Sequence, residues 1–393
     1  MNRYVWIPLL LLTAAGSNYA QSIQRLDGSR LPVDSLRSRV QHLMNVARVS
    51  GVGLTVYNRN KPVFSETFGL ANVPENEPLT SSTVLYGASF SKAVFAYVVM
   101  QLVGENILNL DKPLVAYLPR PLTEYTFPSK RRGFAALRTD DRHKQLTARM
   151  CLSHTTGLPN WRWFEPDQTL KIKFEPGTRY SYSGEGLFLL QFVIEQITGK
   201  PYETLAQERV FRPLGLTRTS YIWQPHFESA VAYGHTATGE PYELQRRKEA
   251  NAAGSLSTTL ADFSTFFGAL LEGKGLTRRS FAELIRPQIR IRSRRQFGPD
   301  AWKDVPDNDA VQLSYGLGVG VLQTPYGPAF FKEGHDDGWG HYAIGFPDRN
   351  VGIVIMTNSD TGESMFRELL AYAIGDTFTP WAWENYVPYQ ATK

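Results

Sequence analysis

Strand-like segments lie toward both ends of this chain with a helical stretch between them, and this order restricts the fold more than any other feature. Asp34 to Val49 carries apolar residues at helical spacing (Leu36, Val40, Leu43, Met44, Ala47). Gly51 to Tyr57 switches to β-branched and alternating residues, Asn58-Arg59-Asn60-Lys61 reads as a turn, and Pro62 to Phe68 returns as a second strand. Further on, Leu313 to Leu322, Ala329 to Glu333, His341 to Phe346 and Val351 to Thr357 are strand-like, and Glu363 to Ile374 is helix-like. The stretch from Ser89 to Leu271 is dominated by helical patterns and by loops containing Pro and Gly. This order predicts an α/β (α+β) fold: one antiparallel sheet formed by both chain ends, flanking helices and an inserted, mainly helical region. The unit is placed at residues 21–376, with the sheet from about 50–70 and 312–358 and the helical region at about 85–300. An aromatic tail follows at 377–393, in which Phe378, Trp381, Trp383, Tyr386 and Tyr389 read as a packed edge rather than a membrane anchor.

A length of 393 residues with 42% apolar and 20% charged residues suits a large packed core and excludes collagen, coiled-coil and low-complexity classes. A single cysteine excludes an internal disulfide, and Cys151, between Met150 and Leu152, reads as a small buried hydrophobe. The net charge of +5 is modest. Its two basic segments, Lys130 to Arg149 and Arg278 to Arg295, are interrupted by other residues and read as solvated loops, so no nucleic-acid partner is expected. Met1 to Ala20 reads as a secretory signal, with Arg3 ahead of an apolar run from Val5 to Ala15 and cleavage before Gln21. That run is too short to span a membrane, so a periplasmic or secreted protein without a stable membrane span is expected.

Ser89-Phe90-Ser91-Lys92 opens a run that stays apolar on every side to Leu102, as a helix buried in a domain interior does. Residues 89 and 92 share a face near the first turn. A serine hydroxyl needs a base, and a lysine stripped of solvent loses its proton readily enough to be one. The structural alternative is an N-cap serine followed by a lysine reaching for solvent. A second constellation, Tyr180-Ser181-Tyr182-Ser183-Gly184-Glu185-Gly186, precedes an apolar helix. There Tyr182 projects into a cleft, and a neighbouring ammonium is expected to lower its phenol pKa. A third, Gly334-His335-Asp336-Asp337-Gly338-Trp339-Gly340-His341, follows an apolar strand, its glycines permitting close approach of a ligand.

These residues resemble the serine hydrolase family that contains class C β-lactamases, D,D-peptidases, D-amino-acid peptidases and lactamase-like esterases. Ser89-Phe90-Ser91-Lys92 resembles its S-x-S-K motif, Tyr182-Ser183-Gly184 falls where the family has Y-S-N, and the segment from His335 is placed at its H-x-G or K-T-G. Supporting stretches, Leu152 to Pro159, Phe211 to Leu216, Ala253 to Thr258 and Ile353 to Asn358, keep the same order across Leu36 to Ile374. The resemblance implies a β-lactamase/transpeptidase-like fold, no cofactor, and Ser89, Lys92 and Tyr182 as catalytic residues. It places the substrate and oxyanion contacts at Ser89, Gly184, His335, Asp336, Asp337 and Gly338. Two departures stand out: Gly184 replaces the asparagine that touches a substrate carbonyl, with Glu185 offered as a partial substitute, and Asp337 replaces a small glycine. Carboxylates at 336 and 337 are expected to favour protonated His335 and to repel a substrate carboxylate.

Other motifs fail on context. Gly268 to Gly275 imitates a phosphate loop but lacks the final Ser/Thr and follows a helix. A metal site at His335, Asp336 and His341 is set aside, and His154 is read as structural. The chain is therefore expected to be an exported serine hydrolase that forms an acyl-enzyme on a small-molecule or peptide ester or amide. An esterase or D-residue peptidase is preferred to a β-lactamase; the alternative is a non-catalytic cell-envelope binding protein. The segment from Arg120 to Arg149 is expected to shape one wall of the cleft.

Overall fold

The computed structural model describes residues 22–389 apart from 128, 130 and 131. The signal segment at residues 1–20 therefore lies outside the described residues, as do Lys130, Arg131 and the end of the aromatic tail.

A short hairpin of β1 (Ser22–Gln24) and β2 (Arg30–Pro32) leads into α1 (Val33–Ala47). Strands β3 (Gly51–Asn58) and β4 (Lys61–Asn72) follow as the expected hairpin, then β5 (Glu77–Pro78) and β6 (Val84–Tyr86). The helical region holds α2 (Phe90–Gly104), α3 (Ala148–Leu152), α4 (Gly184–Thr198), α5 (Tyr202–Ala206) and α6 (Arg212–Leu214). After it come β7 (Ser257–Thr259), α7 (Leu260–Leu271), α8 (Arg278–Ile285) and β8 (Ile289–Arg290). The last strands are β9 (Ser314–Tyr315), β10 (Gly320–Thr324), β11 (Gly327–Asp336), β12 (Trp339–Phe346) and β13 (Val351–Thr357), before α9 (Phe366–Ala373).

Nine strands form one antiparallel sheet in the order β5-β4-β3-β13-β12-β11-β10-β9-β8, so the early hairpin is zipped to the late strands through β3 and β13. The period of two explains how the sheet supports a core on each face. In β13, Ile353 and Ile355 join a core with α1 and α9, while Val354 and Met356 join the larger core around α2, α4 and α7. Residues 377–389 contribute to the first of these: Trp383 is fully buried and its indole N–H donates to Ser293 Oγ at 3.2 Å.

The helical region is less helical than its pattern predicts. Long stretches between α6 and α7 are irregular, and β7 at their end pairs back with β6, ahead of α2, as a separate two-stranded sheet. Around α4, Phe134, within the segment from Arg120 to Arg149, stacks on Phe188 with ring centroids 5.8 Å apart and so packs against that helix.

Candidate active site

Ser89 is delivered by the small β6–β7 sheet. Leaving β6, the chain donates from Gly87 N to Leu256 O (2.7 Å) and then turns at Ala88 with φ +44°. A left-handed alanine costs about 1–3 kcal/mol and persists only where the surroundings impose it. Here Ser91 imposes it, its hydroxyl donating to Ala88 O (2.6 Å) and accepting from Leu256 N (3.0 Å). Ser89 occupies the cap position of α2 yet its side chain makes no capping bond, so the hydroxyl is left for other chemistry.

Lys92 does not reach for solvent. It is 2% exposed, and its Nζ donates to Ser89 Oγ at 3.0 Å and to Ala253 O at 2.6 Å. Burial, followed by the positive charge of Lys332, pushes its pKa well below the ordinary lysine value, against the opposing pull of Glu333. The arrangement favours a neutral amine beside the serine hydroxyl.

Tyr182 brings its ring within 4.7 Å of Lys92 Nζ, and its hydroxyl accepts from Lys332 Nζ at 3.3 Å. The expectation of a lowered phenol pKa is overturned. Burial and then the Glu333 carboxylate drive it well above the usual value, outweighing the Ser89 hydroxyl bonded to it. Tyr182 therefore rests as a phenol that can donate a proton, and of the two only Lys92 is poised to accept one. His154, fully buried, packs its ring 4.4 Å from that of Tyr182 and accepts from Ser183 N through Nδ1 at 3.1 Å. Burial and the two lysines keep it neutral.

The third constellation is shifted from where the sequence reading put it. Lys332 and Gly334, and not the His335 side chain, meet Tyr182 and the serine turn. A Cβ on Gly334 would lie 3.2 Å from Gly87 O, which places β11 directly against that turn. Lys332 Nζ is 2.6 Å from Glu333 Oε1, both side chains are almost fully buried, and Gln296 Nε2 donates to the same carboxylate at 3.0 Å. Neither Lys332 nor Glu333 was singled out from the sequence. The available signal was a charged pair within an otherwise apolar strand, spelling K-x-G.

Gly338 cannot serve as an oxyanion donor as expected, because its N–H is spent on Asp360 Oδ1 at 2.6 Å. His335 has a 64% exposed side chain and pairs with Glu363 through Nδ1 at 2.8 Å. Its pKa is raised chiefly by that bond, with Asp336 and Asp337 as lesser causes. Asp336 faces Arg247 at 4.0 Å, and the Arg247 guanidinium lies 3.6 Å over the Tyr86 ring. These groups, with Asp337 and Trp339, line a 350 Å³ cavity beside the strand that leads to Ser89. His341 is held apart from His335: it is fully buried, donates from Nε2 to Tyr86 O (2.7 Å) and accepts from Thr357 N (3.2 Å). Among the described residues no group of three or more His, Cys, Asp or Glu is placed to hold a metal ion.

At Gly184 a Cβ would lie 2.6 Å from Trp161 Cη2 and 2.8 Å from Asn160 O, so the indole already fills the space where a longer side chain would begin. Glu185 does not substitute for the missing asparagine. It is buried and bound by the Arg162 guanidinium at 2.8 and 2.7 Å.

A helix opening on an uncapped serine, a buried lysine bonded to that serine and a tyrosine thus meet beside β11 of the antiparallel sheet, a set of groups suited to serine hydrolase chemistry. Residues 36–375 match the Beta-lactamase family, and the chain belongs to it and is a serine hydrolase. It is 24% identical over 359 residues to the D-alanyl-D-alanine-carboxypeptidase/endopeptidase AmpH of Escherichia coli K12, covering 89% of this chain and 90% of that protein. It is 25% identical over 266 residues to a putative penicillin-binding protein, PbpX, of Bacillus subtilis, covering 63% of this chain and 62% of the relative. A lovastatin esterase of Penicillium rubens is 28% identical over 175 residues, covering 37% of this chain and 42% of the esterase. The fold is similar to that of an octameric penicillin-binding protein homologue from Pyrococcus abyssi, with a TM-score of 0.69 and 19% identity over 89% of this chain and 79% of that one. Among the described residues no helix is long and apolar enough to cross a membrane.

Proposed function

We propose that the protein is an exported hydrolase of neutral esters or amides that works through an acyl-enzyme on Ser89. Lys92 takes the serine proton as the hydroxyl attacks the carbonyl carbon, and a tetrahedral oxyanion forms. Tyr182, resting as a phenol, donates its proton to the departing oxygen or nitrogen, and the phenolate is reprotonated by Lys92, which returns to the neutral amine. Water, deprotonated by the same lysine, then releases the acid and regenerates the serine.

The oxyanion donors in this reading are the N–H groups of Ser89 and His335. A two-residue turn at Asp337-Gly338 closes the β11–β12 hairpin at Asp336↔Trp339. Ladder alternation then directs the His335 N–H away from β12. It points to an edge left open because β10 pairing ends at Phe331. One such donor is worth about 100–1,000-fold in turnover.

The observation that carries the substrate class is the Lys332–Glu333 pair at 2.6 Å. A lysine already neutralised by a buried carboxylate has little charge left to hold a substrate carboxylate. This favours neutral esters and amides over carboxylate-bearing peptides and penicillins.

The test compares p-nitrophenyl butyrate, a D-alanyl-D-alanine peptide and a fluorescent penicillin on the wild type, Ser89→Ala and Glu333→Thr. The expected result is burst release from the ester, loss of the burst in Ser89→Ala, and improved use of the two carboxylate substrates by Glu333→Thr. Undiminished ester turnover by Ser89→Ala overturns the nucleophile, and rapid wild-type turnover of penicillin without ester turnover overturns the substrate class.

A further inference from the structure

Gly184 and Trp161 are complementary: the helix start lacks a side chain, and an indole edge occupies that space. The indole is held there. Asn160 O accepts from Glu185 N (3.0 Å), Asn160 Oδ1 accepts from Gly184 N (3.1 Å), and Glu185 Oε1 accepts from Arg162 N (3.1 Å). The Arg162 guanidinium, bound to Glu185, also donates to Gly133 O at 2.8 Å. Residues on both sides of Trp161 are thus clamped to the first turn of α4, two residues beyond Tyr182.

From Trp161 an aromatic wall continues outward. Its ring stacks on Trp163 with centroids 4.8 Å apart and planes 9° apart, and Trp163 meets Phe164 edge-on at 6.1 Å. Phe164 is 70% exposed. Another aromatic, Phe297, meets the Tyr182 ring edge-on at 5.3 Å and is itself 39% exposed. Aromatic surface is thus left to water beside Tyr182, at Phe297, and outward from the start of α4, at Phe164, and exposed apolar surface of this kind marks ligand sites more than ordinary protein exterior.

We infer that Trp161, Trp163, Phe164 and Phe297 form a subsite for a planar apolar ring on the substrate, replacing amide recognition at position 184 by stacking. This rests on the acyl-enzyme reading above. The ring belongs either to the acyl group or to the leaving group, and both positions present the same chemistry to the wall. Aromatic faces pair best with planar groups in offset or edge-on geometry.

The experiment follows proton release from ethyl acetate, ethyl phenylacetate (ring on the acyl side) and phenyl acetate (ring on the leaving side). In Trp161→Ala the kcat/KM ratio of a ring-bearing ester to ethyl acetate is expected to fall by about ten-fold, chiefly through KM. Correcting against ethyl phenylacetate and phenyl acetate separately identifies which side carries the ring. Trp161→Phe should largely restore the ratio, and Gly184→Ala, whose Cβ displaces the indole, should reproduce part of the loss. Phe164→Ala, on an exposed side chain, serves if Trp161→Ala does not fold. Unchanged ratios in the folded variants overturn the subsite.

A binding measurement separates failure of the subsite from failure of the reaction. In Ser89→Ala, saturable quenching of tryptophan fluorescence by phenyl acetate or ethyl phenylacetate but not by ethyl acetate, weakened by Phe164→Ala, supports the subsite even if no ester is turned over. No saturable quenching by either ring-bearing ester overturns it.

Discussion

Lys92 shows how a stability cost is retained for chemistry. Its amine is buried beside Lys332 and its pKa lies well below the ordinary value, so between those two values the folded state binds fewer protons than the unfolded chain. Native stability therefore rises with pH across that window. Lys92→Met is expected to abolish acylation, to flatten this pH dependence and to raise the melting temperature by roughly 3–5 °C at neutral pH, read by a burst assay and thermal denaturation. In the wild type, kcat/KM should climb as pH rises through the lowered lysine pKa, since the proposed mechanism runs through the neutral amine. The local spacing of Ser89 and Lys92 was legible in the sequence because three residues on a helix fix a shared face. The protonation state of Tyr182 was not, because it depends on burial by the assembled fold and on Glu333, which is distant in the chain.

At the scale of elements, the start of α4 depends on an ion pair of which the sequence offered only Glu185, and that as a substrate contact. Arg162 and Glu185 are 8% and 2% exposed in their side chains, and their bidentate bond fixes the loop carrying Trp161. Arg162→Met leaves a buried carboxylate without its partner and is expected to cost about 3–5 kcal/mol, measured by urea unfolding. Glu185 lay one position after the missing asparagine, which made a substrate role plausible. The helix turns it instead toward the 133–162 wall, a direction that depends on where α4 begins. The third motif was displaced for a related reason. Glycines and acidic residues drew attention to the β11–β12 turn, whereas the groups that meet Tyr182 and the serine turn sit on the strand before it, where Lys332 shares a face with Gly334.

Across the whole molecule, burial of neutral histidines predicts sensitivity to acid. His341 is fully buried with its pKa brought down to about 4 by burial, and His154 is lowered for the same leading reason. Both fold without a proton that the unfolded chain takes up below the usual histidine value of 6.5. Stability is thus expected to fall as pH drops below 6.5, by about 1.4 kcal/mol per pH unit for each histidine while its folded form remains neutral. Urea midpoints between pH 7 and 4.5 should show this slope, and His341→Gln should make it shallower.

The sequence by itself determined the strand segments toward both ends, the buried helix and the shared face of Ser89 and Lys92, because each follows from a residue pattern acting locally. Only the tertiary structure decided which lysine joins Tyr182, that Gly338 is spent on Asp360, and that Trp161 fills the space at Gly184. Those outcomes depend on which surfaces meet when the late strands are brought against α2 and α4, and a contact of that kind leaves no periodic trace in the chain.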